Sequence, residues 1–313
     1  MNDLTDLISA RSNELFYYSP YNFIHDFSKE IQFKNCVENV IINFENENNN
    51  NVYKITCDGQ LHQFYVTKLS WDTQYFGINT IKLKYVLYAH QNFGMLQNAV
   101  REFLNIISSE KKYCFIEIPS EDILLLKAIT SNSFNLIETR LTYFRRNLSA
   151  FNNERYAVRK ANLSDTENLK RVARVMRNDF DRFHADPVFS KEIADEFLAT
   201  YIEQSIKGFA DVVLVPDETG IPADSFLTAN YLKDDWTKNK INISKMVLSA
   251  VSAQTNKGWY KKLVSEMTYQ LYNEGAEYIY MNTQSTNRAV IYTWEKLGYK
   301  LGCTTHILSY NNL

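Results

Sequence analysis

Four stretches of the chain carry side chains that can hold an anion or move a proton. In LSAVSAQTNKGWYKKLVSEM a strand ends near Val251, a polar loop with Asn256, Lys257 and Gly258 follows, and an amphipathic helix starts at once. Such a turn points free backbone N–H groups and the positive end of a helix dipole at a phosphate. Gly258 lets the backbone approach a ligand closely, while Asn256 and Lys257 add a donor and a charge. A strand, one glycine and a helix also make an ordinary loop, and these residues alone leave both readings open. In NRAVIYTWEKLGY a short helix stops at Gly298 and carries Trp294. An indole N–H donates a hydrogen bond but does not usefully release its proton, so Trp294 is either a fixed donor or a core aromatic. Tyr292 lies roughly 200° away on the opposite helix face. His306, in TTHIL, titrates near neutral pH and suits an acid or base; a hydrogen-bonded structural histidine is the other reading. In RFHADPVFSKEI, Arg182 can pair with a phosphate or a sugar hydroxyl while His184 or Asp186 meets an amine. The same residues also fit a turn in which Asp186 precedes Pro187 and Ser190 caps the next helix.

These groups need a scaffold, and 313 residues suit two domains that each bury a core. The polar turn Asn152–Asn153–Glu154 separates two β-like runs, which places the boundary between 1–152 and 153–313. From Tyr156 onward the pattern predicts strand, helix, helix, three strands, then helix, strand, helix (NRAVIYTWEKLG) and strand. That order gives an α/β (α+β) domain with a mixed central sheet and helices packed on it. Upstream, ENENNNN reads as a loop tip between strand-like VIINF and VYKITC. LSWDTQYFG, with Trp71 and Asp72, reads as a turn that packs without a ligand, with a ligand contact as its other reading. The tract YCFIEIPSEDILLLKAITSNSFNLIETRLTYF from Tyr113 lies without gaps on YIYMNTQSTNRAVIYTWEKLGYKLGCTTHILSY from Tyr278; with only a few identities, the echo is either a duplicated or degenerate half-domain or chance similarity between two strand-helix-strand units.

Composition narrows the function. A net charge of −2 shows no basic excess, which makes nucleic acid an unlikely main partner. Cys36, Cys57, Cys114 and Cys303 are scattered, without CxxC pairs or zinc spacing, and read as reduced thiols. No metal site is expected. The start MNDLTDLISA lacks the features of an export signal, and no apolar stretch of about 18 residues follows, so a cytoplasmic protein without a membrane segment is expected.

The region from Tyr156 to the C-terminus resembles the GNAT superfamily of acetyl-CoA-dependent N-acyltransferases, through YAVRKANLSD, QTNKGWYKKLV and NRAVIYTWEKLGYK. The family's loop reads approximately R/Q-x-x-G-x-G/A; Thr255, Gly258 and Tyr260 occupy the three positions here, and only the central glycine is kept. RFHADPVFSKEIADEFLATYIEQSIKG, LSWDTQYFG and the IPSEDILLLKAI tract are similar to the sugar branch, the dTDP-fucosamine acetyltransferase group. The resemblance implies a GNAT domain preceded by a partial GNAT-like domain, with acetyl-CoA as cosubstrate and no metal. It implies direct attack on the thioester by the amine of a nucleotide-linked amino-deoxy sugar, of the dTDP-4-amino-4,6-dideoxyhexose type.

Several site roles follow from the resemblance. Backbone N–H groups around Leu248, Ser249, Ala250 and Val251 stabilise the oxyanion. The pyrophosphate lies on Asn256, Lys257, Gly258, Trp259, Tyr260 and Lys261, and Asn287 reaches the pantetheine arm. Trp294 stands where the family usually has a proton-donating tyrosine and can steady the departing sulfur; His306 is a candidate acid or base. Arg182, His184 and Asp186 face the substrate, and a homodimer is compatible. A peptide, polyamine or aminoglycoside acceptor keeps the same fold. A binding module that has lost catalysis is the reading from another class, favoured by the degenerate loop and the absent tyrosine.

Overall fold

The computed structural model describes residues 4–176 and 178–313. The chain forms two compact units: residues up to Arg140 together with Cys303–Leu313, and Leu141–Gly302. The polar turn at 152–154 lies inside the second unit, and the final strand is shared with the first. Sequence periodicity marks that segment as a strand but says nothing about which strand it pairs with.

The first unit opens with short helices α1 (Leu4–Ala10), α2 (Ser12–Phe16), α3 (Lys29–Phe33) and α4 (Asn39–Ile42). VIINF, expected as a strand, falls in α4 and the turn after it. Its β-branched residues favour extended backbone, but that preference is under about 1 kcal/mol per residue. Ile41 and Phe44 instead join Leu7, Leu15 and Val37 against Tyr65, Tyr85 and Leu87, and burying such side chains is worth roughly 1.5–3 kcal/mol each. Strands β1 (Asn50–Cys57) and β2 (Gln60–Lys68) form a hairpin through Asp58 and Gly59, at φ 48° and 75°. Two left-handed residues are what a two-residue hairpin turn demands.

The unit continues with α5 (Ser70–Phe76), β3 (Thr80–Leu87), α6 (Phe93–Ile107), β4 (Tyr113–Pro119), α7 (Ile123–Thr130) and β5 (Asn135–Arg145). β3 runs parallel to β4, and β11 (Lys300–Asn311) runs antiparallel to β4 through Thr305–Asn311. Helices α6 and α7 cover one face, where Val100, Phe103 and Ile129 meet Phe64, Leu83 and Ile116.

The second unit follows with β6 (Val158–Lys160), α8 (Thr166–Val175), α9 (Arg182–Ala185), α10 (Lys191–Gln204), β7 (Val212–Pro216) and β8 (Ser225–Asn230). It ends with α11 (Lys233–Asn239), β9 (Ile243–Val251), α12 (Trp259–Asn273), β10 (Tyr278–Gln284) and α13 (Arg288–Lys296). α8 stops at Val175, short of its expected end; residue 177 of that expected helix lies outside the described residues. Its strands lie in the order β10-β9-β8-β7-β6, antiparallel except for the β9–β10 pair, so the sheet is mixed. Leu263, Val264, Met267 and Leu271 of α12 pack on one face with Leu227, Met246, Ile279 and Trp294. Helices α8 and α10 cover the other, through Leu169, Val172 and Ile202 against Val213, Phe226 and Ala250.

The sequence echo has a structural counterpart. β4, α7 and the start of β5 correspond without gaps to β10, α13 and the start of β11, to within one residue at each end. Gly298 closes α13 at φ 76°, and its counterpart Ser133 also sits in the left-handed region, at φ 63°. A Cβ on residue 298 would run into the guanidinium of Arg145, which donates to the carbonyl of Leu297 at 2.6 Å. Gly298→Ala is therefore expected to lower stability by about 1–3 kcal/mol, from the left-handed backbone with the displaced arginine in addition. Urea denaturation of the two proteins measures this, and an equally stable variant would show that the turn relaxes freely.

Candidate functional site

The second unit offers a cleft built by its own strands. The parallel ladder between β9 and β10 ends at Lys245 and Tyr280, although β9 runs to Val251 and β10 to Gln284. Beyond that point the two strands have no mutual pairing, while β9 stays bonded to β8 through Ser249–Val251. The β8–β9 register shifts between Leu227 and Ala229, and the N–H of Leu248 is taken by the hydroxyl of Thr228 at 2.9 Å. A bulge of this kind bends a strand and redirects its side chains, here within the predicted oxyanion segment Leu248–Val251.

At the end of β9 the loop turns into α12. Gly258 adopts φ 90°, the place of its missing Cβ is open, and no side chain caps the helix. The first N–H groups of a helix have no partner within it; that of Trp259 goes to the carbonyl of Asn256 at 3.0 Å, and those that follow it are left as donors for an anion. Lys257 and Lys261 are exposed on either side of Gly258.

Two predicted members of the loop turn inward. Asn256 is buried, donating to the carbonyl of Pro222 at 2.9 Å and to the hydroxyl of Ser225 at 2.8 Å, so its amide braces the base of the loop and does not reach a ligand. Trp259 is 2% exposed and belongs to the core under α12. The apolar spacing Trp259, Leu263, Met267, Leu271 already carried that information, because residues four apart share a helix face. A further brace was not legible: Asp224 accepts from Thr255 at 2.9 Å, and its carbonyl accepts the N–H of Ser252 at 3.0 Å. Only folding brings Asp224 to this loop.

Trp294 is 3% exposed, and its indole N–H donates to the hydroxyl of Tyr260 at 2.7 Å. Tyr260 is also hydrogen-bonded to Ser249 of β9. Burial pushes the Tyr260 phenol above its ordinary pKa, against the opposing pull of Trp294 and Ser249, so it stays protonated. Tyr143 packs against the Trp294 ring at 5.5 Å and donates to Glu295 at 2.9 Å, which fixes the indole from behind. A tyrosine hydroxyl thus stands beside Trp294, supplied by α12 instead of α13. Asn287 starts α13, half-buried, with no capping hydrogen bond from its side chain.

The other predicted residues lie elsewhere. His306 is in the first unit, bonded through Nε2 to Ser120 at 3.0 Å and through Nδ1 to Thr139 at 3.2 Å. Burial holds its pKa below the ordinary value, against the effect of Glu121. With both nitrogens engaged, these contacts favour the structural of its two readings. Arg182 and His184 lie in α9, and Asp186 follows it. The His184 ring is held between Asp181 at 2.8 Å and Asp195 at 3.1 Å, with no exposed side-chain surface. Burial pulls its pKa down, but the two carboxylates hold it above the ordinary value, and the ring ties α9 to α10 through Asp181 and Asp195. Arg182 places its guanidinium over the Phe183 ring at 4.3 Å. Asp186, 2% exposed, accepts the N–H of Val188 at 3.2 Å, and Ser190 caps α10 by accepting the N–H of Ile193 at 3.3 Å. Among the described residues no cluster of three or more His, Cys, Asp or Glu is placed to hold a metal ion, and no helix is long and apolar enough to cross a membrane.

No protein-family model matches the sequence, and no curated protein matches it. Solved structures do match. A GCN5-related N-acetyltransferase from Sphaerobacter thermophilus superposes at TM-score 0.51 with 9% identity, over 80% of this chain and 80% of its own. A conserved protein of unknown function from Staphylococcus epidermidis gives 0.50 with 12% identity, over 86% and 98%. The GCN5-related glucosamine N-acetyltransferase region of a fungal multi-domain GH3 β-N-acetylglucosaminidase gives 0.56 with 11% identity, over 96% of this chain and 37% of that one. The chain therefore has the fold of the GCN5-related N-acetyltransferases. Identities this low speak for the fold alone.

Proposed function

We propose that the second unit binds acetyl-CoA and transfers the acetyl group to the primary amine of a nucleotide-linked amino sugar. The observation that carries this reading is the uncapped start of α12 behind Gly258, set at the mouth of the β9–β10 splay. Lys257, Lys261 and the first N–H groups of α12 would hold the pyrophosphate, and Asn287 would meet the pantetheine arm. β9 is unpaired only on its β10 side; there the N–H groups of Ser249–Val251 that β8 does not take would face the developing oxyanion, whereas the N–H of Leu248 is already spent on Thr228.

The neutral amine attacks the thioester carbon, the C–S bond breaks, and its electron pair goes to sulfur. Trp294 has spent its N–H on Tyr260, so Tyr260 is the residue that passes a proton to the sulfur. Trp294 positions that hydroxyl, the proton lost by the new amide nitrogen leaves to water, and the Tyr260 phenolate regains a proton from solvent. An amino-sugar acceptor is supported by the resemblance in RFHADPVFSKEI. The His184 clamp makes Arg182 the better placed of the three predicted substrate residues.

The test is thiol release from acetyl-CoA against a panel of dTDP- and UDP-linked amino sugars, a polyamine and a peptide amine. Release is expected with a nucleotide sugar, and Gly258→Val should abolish it by blocking backbone approach. Release with the polyamine or peptide alone would sink the sugar assignment. Normal CoA binding by Gly258→Val would move the phosphate site elsewhere.

A further inference from the structure

The first unit repeats the cleft of the second. Its β3–β4 ladder ends at Leu83 and Ile116, while β3 runs on to Leu87 and β4 to Pro119. Helix α6 has the 15 residues of α12. Asp122 is the counterpart of Asn287, with φ −87° and ψ 63° against −84° and 67°. Each donates its N–H to the carbonyl three residues earlier, at 3.1 and 3.0 Å.

What differs is that the first unit's cleft is filled from within. Arg11, 2% exposed, reaches into the splay from the N-terminal helices. Its guanidinium donates to the carbonyl of Val86, beyond the end of the ladder, and pairs with Asp122. Tyr18 also donates to Asp122 at 2.7 Å, and the Arg11 guanidinium lies 4.3 Å from the centre of the Tyr88 ring. The start of α6 is closed as well. Asn92 accepts the N–H of Met95 at 3.1 Å, and Nδ1 of His90 accepts the N–H of Asn92 at 3.1 Å. That contact places the proton of neutral His90 on Nε2, from which it is donated to Nε2 of His62 at 2.7 Å. The positions that stand open at Gly258 and Asn287 are thus occupied here by the chain's own side chains.

We propose that Arg11 is a built-in occupant of the first unit's cleft, so that each chain takes one acetyl-CoA, in the second unit only. This rests on the reading of the second unit as the CoA site. Two measurements test it: calorimetric titration of the protein and of Gly258→Val with CoA, and hydrogen exchange of the full chain with and without CoA. One CoA per chain is expected, lost in Gly258→Val. Segments 4–18 and 86–95 should be protected in the free protein and unchanged by CoA, while 256–261 gains protection. Two CoA per chain, a site surviving in Gly258→Val, or faster exchange at 4–18 on adding CoA would overturn the proposal. If CoA does not bind at all, the acetyl-CoA reading fails. The free protein then decides on Arg11 alone: protected 4–18 and 86–95 support the occupant, and rapid exchange there refutes it.

Discussion

Arg11→Ala is expected to destabilise the first unit by about 3–5 kcal/mol, the range for breaking a buried ion pair by removing one partner. The size follows from what stays behind. Asp122 is fully buried, and its second carboxylate oxygen has no hydrogen-bond partner among the described residues, so without Arg11 only Tyr18 remains to hold the charge. The carbonyl of Val86 loses a donor in the same step, which adds a desolvation cost of roughly 1–3 kcal/mol if no water replaces it. The measurement is urea denaturation followed by circular dichroism, with hydrogen exchange to separate the two units, since a chain of two units need not unfold in one step. Removing both partners together, as Arg11→Met with Asp122→Leu, should recover much of the loss, because no unpaired charge is then buried. A loss below about 1 kcal/mol for Arg11→Ala would place the pair in the range of exposed ion pairs and remove it as a structural anchor.

Much of the second unit was legible because its signals are local. The strand, glycine and amphipathic helix around Gly258, and the stop at Gly298, depend on periodicity and backbone preference within about ten residues, and both elements stand where the sequence placed them. The echo between Tyr113 and Tyr278 was legible for the same reason. Nothing local could reveal Arg11 beside Asp122, or the last strand lying against β4, because both depend on which distant segments meet. Asn256 shows a third kind of miss. A polar residue in a phosphate-like loop reads as a ligand donor, yet Pro222 and Ser225 claim it. Its type was informative and its direction was not. Trp294 was read as either a donor to the departing sulfur or a core aromatic; its ring is buried, and its N–H goes to Tyr260, a partner that only folding reveals.

Tyr260→Phe is expected to lower turnover by roughly 10²- to 10⁴-fold, the usual worth of a positioned acid or base, with CoA affinity unchanged. The substitution removes only the hydroxyl, so the ring keeps its place over the helix start. Because burial holds the phenol above its ordinary pKa, the protonated form persists as pH rises. The alkaline limb of the wild-type turnover profile should therefore lie above the free phenol value of about 10 and should disappear in the variant. Trp294→Phe should cost less, about fivefold, since it leaves the hydroxyl in place and removes one hydrogen bond worth roughly 1 kcal/mol. Trp294 acts through Tyr260, so the double variant should be no slower than Tyr260→Phe alone. Losses that multiply would give the indole an independent contact with the reacting group, and unchanged turnover in Tyr260→Phe would leave protonation of the sulfur to water.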